Sequence, residues 1–150
     1  MPAIVIESFH KTLFVLYNIN RGDIMEFEAQ KIVYNAINDI SVEVYDEPIP
    51  NKPYSYVVIG GGGSTPFQKH GKDGIENNFL ITIYTKPGSL GFYPALSIAA
   101  EIKSKLHMQR FETDNVNYRN VICKQISQDR ERDGEYRNID LRYQVLIEEI

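Results

Sequence analysis

A single cysteine, no tryptophan and only three histidines occur among the 150 residues. One thiol excludes an internal disulfide and a thiolate metal cage, and it suits a reducing compartment such as the cytoplasm. Cys123, beside Val121 and Ile122, reads as a small buried strand residue. His10, His70 and His107 fall in three separate segments with no His-x3-His or Cys-His spacing, so no metal-ligand motif is present. Excess positive charge is missing too. With 16 Lys and Arg against 20 Asp and Glu, the net charge is −4, without the basic footprint that nucleic-acid binding requires. Long apolar runs are absent: "MPAIVIESFHKTLFVLYNI" is broken by Glu7, His10 and Lys11, so neither a signal peptide nor a membrane span is expected.

The rest of the composition is that of an ordered globular protein. At 43% hydrophobic and 24% charged, with ten tyrosines and seven phenylalanines, residues 1–150 suit one domain with one core. Residues 1–22 read as an N-terminal extension, in which residues 3–17 fit a strand or a short helix. From Asp23 the pattern turns helical, with Glu26 completing a capping-box spacing. Met25, Ala29, Ile32, Val33, Ala36, Ile37 and Ile40 then form one stripe of period 3.6. Three prolines mark a loop from about Asp46 to Pro53, between the strand-like runs "SVEVY" and "YSYVVIG". A strand is predicted over "NFLITIYT". After it, Ala95, Ile98, Ala99, Ile102 and Leu106 define a second amphipathic helix opened by Pro94 and ending near His107.

The final third carries the strongest pattern. Ile139, Leu141, Tyr143, Val145 and Ile147 alternate with Asn138, Asp140, Arg142, Gln144 and Leu146, so one face of this strand is core and the other is wet. Val121–Ile126 supplies its partner, and Asp133-Gly134 in "DRERDGEY" favours a tight hairpin turn. The alternating charges of that turn read as a solvated tip. Helix, strands, helix and a long C-terminal β-hairpin, with no strand-helix-strand repeat, predict an α+β fold: a mostly antiparallel sheet with two helices on one face.

"YVVIGGGGSTPFQKHGKDG", from Tyr56 to Gly74, raises the question of phosphate binding. A P-loop requires Gly-Lys-Ser/Thr at its end, but Gly71-Lys72 is followed by Asp73 and has Pro66 where the leading glycine belongs. The dinucleotide fingerprint also fails, because Thr65 replaces its third glycine and no helical period follows. Residues 61–78 therefore read as a long flexible loop between strands. Asp46/Glu47 and Glu148/Glu149 are adjacent carboxylates that point apart on a strand, and no Gly-x-Ser-x-Gly elbow occurs. Catalytic, cofactor-binding and metal-ligating residues are accordingly not expected.

In order and spacing, "VEVYDEPIPNKPYSYVVIG", "FLITIYTKPGSLGFYPALSIAAEIKSKL" and "DRERDGEYRNIDLRYQVLIEE" resemble the tail-completion family of long-tailed bacteriophages and prophages, the tail terminator or head-to-tail joining proteins. The resemblance spans about residues 28–149. It implies a non-enzymatic virion protein, made in the bacterial host cytoplasm. It also implies a homo-hexameric ring that caps the head-proximal end of the tail tube. The implied partners are further copies of the chain, the tail-tube protein and the head-tail connector; DNA only passes through, and no membrane is involved. The wet strand face of Asn138, Asp140, Arg142 and Gln144 would line the opening. Lys69, His70 and Lys72 would let the glycine-rich loop dock on the tube or connector, the alternative being a solvated loop. Other readings are another head-completion or tail-tube component, or a small nucleotide- or small-molecule-binding enzyme domain using Gly60–Gly63.

Overall fold

Among the described residues the chain forms two helices and six strands. The computed structural model describes residues 21–47, 55–69, 72–86, 90–112 and 118–149. The expected extension up to residue 20 and the proline-rich loop from Pro48 to Pro53 lie outside the described residues. The elements are α1 (Arg21–Ile37), β1 (Glu43–Tyr45), β2 (Tyr56–Lys69), β3 (Lys72–Thr85), α2 (Tyr93–Leu106), β4 (Gln109–Phe111), β5 (Tyr118–Asp133) and β6 (Tyr136–Glu149). The strands form one sheet in the order β1-β2-β3-β6-β5-β4. Only β1 and β2 run parallel; every other pair is antiparallel, which gives the expected α+β architecture.

Both helices cover the same sheet face, α1 over β2, β3 and β6, α2 over β3, β6 and β5, and they touch each other. The register explains the core. Ile83 pairs with Ile139, Ile81 with Leu141, Phe79 with Tyr143 and Ile75 with Ile147, so the odd-numbered residues of both central strands face the helices. All of these are buried. From α1 come Ala29, Ile32, Val33 and Ile37, with Ile40 just beyond it, and from α2 the full set Ala95, Ile98, Ala99, Ile102 and Leu106. Each fully buried aliphatic side chain contributes about 1.5–3 kcal/mol. The expected cap at Asp23 is instead a helical residue, since α1 already includes Arg21 and Gly22.

Polar contacts fix the ends. Ser41, just after α1, donates its backbone N–H (3.1 Å) and its hydroxyl (2.6 Å) to the Glu101 carboxylate of α2, and Lys105 pairs with Asp39 at 3.1 Å. α2 stops at Leu106. Met108 takes a left-handed conformation (φ 58°) and donates its N–H to the Cys123 carbonyl at 2.8 Å, turning the chain into β4. Gln125 N–H is held by His107 Nδ1 at 3.0 Å, next to the β-bulge between Gln125 and Ser127. Cys123 is fully buried, and desolvation pushes its thiol up to about 12.

Two expectations are corrected by the ladder. Residues 61–78 are not a loop: β2 runs to Lys69 and β3 starts at Lys72, forming a hairpin in register from Ser64↔Asn77 to Lys69↔Lys72. The glycines create a bulge between Gly61 and Ser64, where Gly63 has φ 101°. An extra residue in one strand bends it without ending the pairing. The charged run from Asp129 to Asp133 is likewise strand and not turn, and the turn is Gly134-Glu135, with Gly134 at φ 57°. A two-residue hairpin with glycine first matches the right-handed strand twist, so pairing continues to the tip.

Candidate functional site

The bulge decides what the glycine-rich segment can do chemically. Gly61 pairs with Phe79 and Ser64 with Asn77, so backbone polar groups there serve a sheet ladder and no helix follows to supply an anion-binding dipole. The segment builds the tip-side half of the β2–β3 arm, in which β3 stays paired to β6 as far as Gly74, in place of a phosphate cradle. Lys69 and Lys72 face each other at the last rung of that arm. Their side chains, and all of His70, lie outside the described residues.

The four β6 residues expected to be wet lie on the sheet face opposite the helices. Arg142 is exposed, whereas Asp140 and Gln144 are half-buried. Asp140 accepts a hydrogen bond from the Thr82 hydroxyl at 2.9 Å, and Gln144 donates to the Glu76 carboxylate. Asn138 departs from the expectation: it is 9% exposed, and its Oδ1 has no hydrogen-bond partner. The reason is its rung. Asn138 sits opposite Tyr84, whose ring stacks on Tyr56 with centroids 5.0 Å apart, and Tyr45 meets Tyr56 edge-on at 6.1 Å. This aromatic row makes the β1-β2-β3 part of the outer face apolar, and Tyr56 is only 5% exposed there. Strict alternation on β6 could not reveal it, because the covering rings come from other strands.

At the far end of the sheet, the tip of the β5–β6 hairpin carries a dense run of charge, from Asp129 to Arg137. Lys86 pairs with Glu135 at 3.2 Å and lies over the Tyr136 ring, while Arg137 donates to the carbonyls of Gly134 and Tyr136, bracing the turn. On the helix side Arg130 and Arg137 both lie over the Phe92 ring, 5.4 and 5.9 Å from its centroid. Close to Phe92 in sequence, Leu90 is 62% and Tyr93 69% exposed. This combination of arginine, aromatic and aliphatic surface was missed in the sequence because the tip was read as turn. The available signal was the alternation of sign at every position from Asp129 to Asp133, which in a strand sorts charges onto opposite faces. Among the described residues no three His, Cys, Asp or Glu side chains gather closely enough to hold a metal ion.

Comparison with known proteins gives two findings. A family profile described as "Tail completion protein gp17" matches residues 29–148. The fold matches a chain of the structure "Virion of native gene transfer agent (GTA) particle" with a TM-score of 0.61 and 21% identity, over 77% of this chain and 91% of that one. No curated protein matches the sequence.

Proposed function

The chain belongs to the tail completion protein gp17 family, and from that premise we propose that it closes the head-proximal end of a phage tail as a ring of identical subunits and joins that end to the head connector. As a member of this family it is a structural tail component of the virion. The observation that carries the reading is the match over residues 29–148, which runs from within α1 through α2 and the described strands to Glu148 in β6. The similar fold found in a gene transfer agent virion supports it.

The architecture suits the role. One layer of sheet and helices presents two hairpin tips at opposite ends, those of β2–β3 and β5–β6, and a ring of six copies would direct one set of tips at the tube and the other along the ring. The β2–β3 arm, ending in Lys69, His70 and Lys72, docks on the tail-tube protein or the connector. The outer face around Arg142 and Gln144 borders the opening. An overall net charge of −4 lets DNA pass without being held by phosphate neutralisation. The role needs no catalysis and no cofactor.

Genetic removal tests this reading. A phage or prophage lacking this chain should assemble filled heads and tails that do not join, and the intact chain supplied in trans should restore joined particles. Normal joined virions without it would overturn the assignment.

A further inference from the structure

The run Asp129-Arg130-Glu131-Arg132-Asp133 alternates in sign at every position, and the pleat of β5 separates the two signs in space. Asp129 lies opposite Asp140, and Glu131 opposite Asn138, on the outer face of the sheet. Asp133, opposite Tyr136, continues that row to the tip. Arg130 lies opposite Ile139 and Arg132 opposite Arg137, on the face that carries the helices. The positions of Arg130 and Arg137 over Phe92 agree with this sorting. One hairpin thus has an acidic face, bounded by Arg142, and a basic face.

Within one subunit the arrangement is unfavourable. Two rungs bring like charges directly across from each other, Asp129 with Asp140 and Arg132 with Arg137, and such pairs destabilise a ladder. Among the described residues no ion pair links these carboxylates to these arginines. Asp129, Arg130, Glu131, Arg132 and Asp133 are all exposed, and the Phe92 ring under Arg130 and Arg137 is followed in sequence by exposed Tyr93. Arginine beside aromatic surface is the composition of an interface centre.

We propose that copies of this chain associate head to tail through these hairpins, with the acidic outer face of one β5–β6 ribbon against the arginine-bearing face of the next. The occupant is a second copy because its other face supplies the complementary charge. Opposite signs on opposite faces of one element favour a heterologous contact, the kind that closes rings, whereas a two-fold contact would set like on like. This inference rests on the self-association proposed above and names its surface.

Two charge-reversed variants test it: R130E/R132E makes both faces acidic, and D129K/E131K makes both basic. Circular dichroism first establishes that each is folded. By analytical ultracentrifugation the wild-type chain should form a closed oligomer that weakens as salt is raised. Each variant alone should lose self-association about tenfold or more, and an equimolar mixture should recover association as mixed dimers and rings of alternating variants, because the native contact and its sign-reversed counterpart are both complementary. A wild-type ring that persists undiminished in both variants overturns this inference and leaves the ring itself standing. A wild-type chain that stays monomeric up to millimolar concentration at low salt overturns both. Variants that form no mixed dimer while the wild type forms a ring also overturn the hairpin contact.

Discussion

Ser41 and Glu101 are joined by two hydrogen bonds, from the serine N–H at 3.1 Å and from its hydroxyl at 2.6 Å, although 60 residues separate them in sequence. The pair ties the end of α1 to the middle of α2. Both bonds favour the ionised carboxylate and hold the Glu101 pKa below its ordinary 4.5; nearby Lys105 adds to the effect, and desolvation and Asp39 oppose it. A depressed pKa in the folded state gives stability that is complete above the unfolded value and disappears as pH falls through the folded one. Glu101→Gln should therefore cost about 1 kcal/mol at pH 7, given the exposure of the pair. The gap from wild type should be constant from pH 6 to 7 and close as pH drops below about 4. Urea midpoints across pH 3–7 measure it, and a gap independent of pH would contradict the clamp.

Gly63 sits at φ 101° in the β2 bulge, a region that side chains avoid, while nothing lies within 4 Å of where its Cβ would be. Gly60, three residues earlier, has no such conformation, and a Cβ there would meet only the Leu80 carbonyl at 3.5 Å. Backbone strain and crowding are thus separable at two neighbouring glycines. Gly63→Ala should destabilise the arm by about 1–2 kcal/mol. Gly60→Ala should be close to neutral or slightly stabilising. Amide hydrogen exchange in Ser64–Lys69 reads the difference; equal protection in both variants would mean that the bulge does not depend on Gly63.

The glycine run also marks the limit of what residue pattern conveys. The α2 stripe, most of the α1 stripe and the alternation on β6 were legible because each depends on local spacing against one apolar surface: Ala95, Ile98, Ala99, Ile102 and Leu106 are all buried. The bulge was not legible, since glycines weaken strand propensity and the pairing is stabilised by the opposite strand, Asn77 to Asp73. The burial of Asn138 failed for a related reason, the Tyr84–Tyr56 stack being contributed by strands more than 50 residues away. At the hairpin tip the residues were noticed but their meaning depended on conformation. The same five charges are a mixed surface in a turn and two single-sign faces in a strand.

Met108 is the one non-glycine residue with positive φ among those described, at 58°, and its side chain is largely exposed. Its N–H bond to Cys123 anchors α2 to β5 and would survive any substitution that keeps the backbone. A left-handed L-residue costs about 1–2 kcal/mol, and glycine avoids that cost but loses about 0.5–1 kcal/mol more conformational entropy. Met108→Gly should therefore raise stability by about 0.5–1 kcal/mol, seen as a higher urea midpoint with an unchanged slope. A lower midpoint would show that the methionine side chain makes a stabilising contact.

Asn77 is a polar side chain on the core face of β3, 0% exposed, opposite Val145 and flanked on its own face by Ile75 and Phe79. Neither its Oδ1 nor its Nδ2 has a hydrogen-bond partner in the protein. A buried amide without partners costs about 1–3 kcal/mol, whereas an apolar side chain of similar volume at the same place contributes burial instead. Asn77→Leu should accordingly stabilise the subunit by about 1–3 kcal/mol, while Asn77→Asp, which adds a charge to the same site, should destabilise it strongly at neutral pH and less so in acid. Chemical denaturation of the two variants at pH 7 and pH 4 tests both signs. If Asn77→Leu lowers stability, the amide makes bonds that offset its desolvation, and its place in the core is structural and not a tolerated cost.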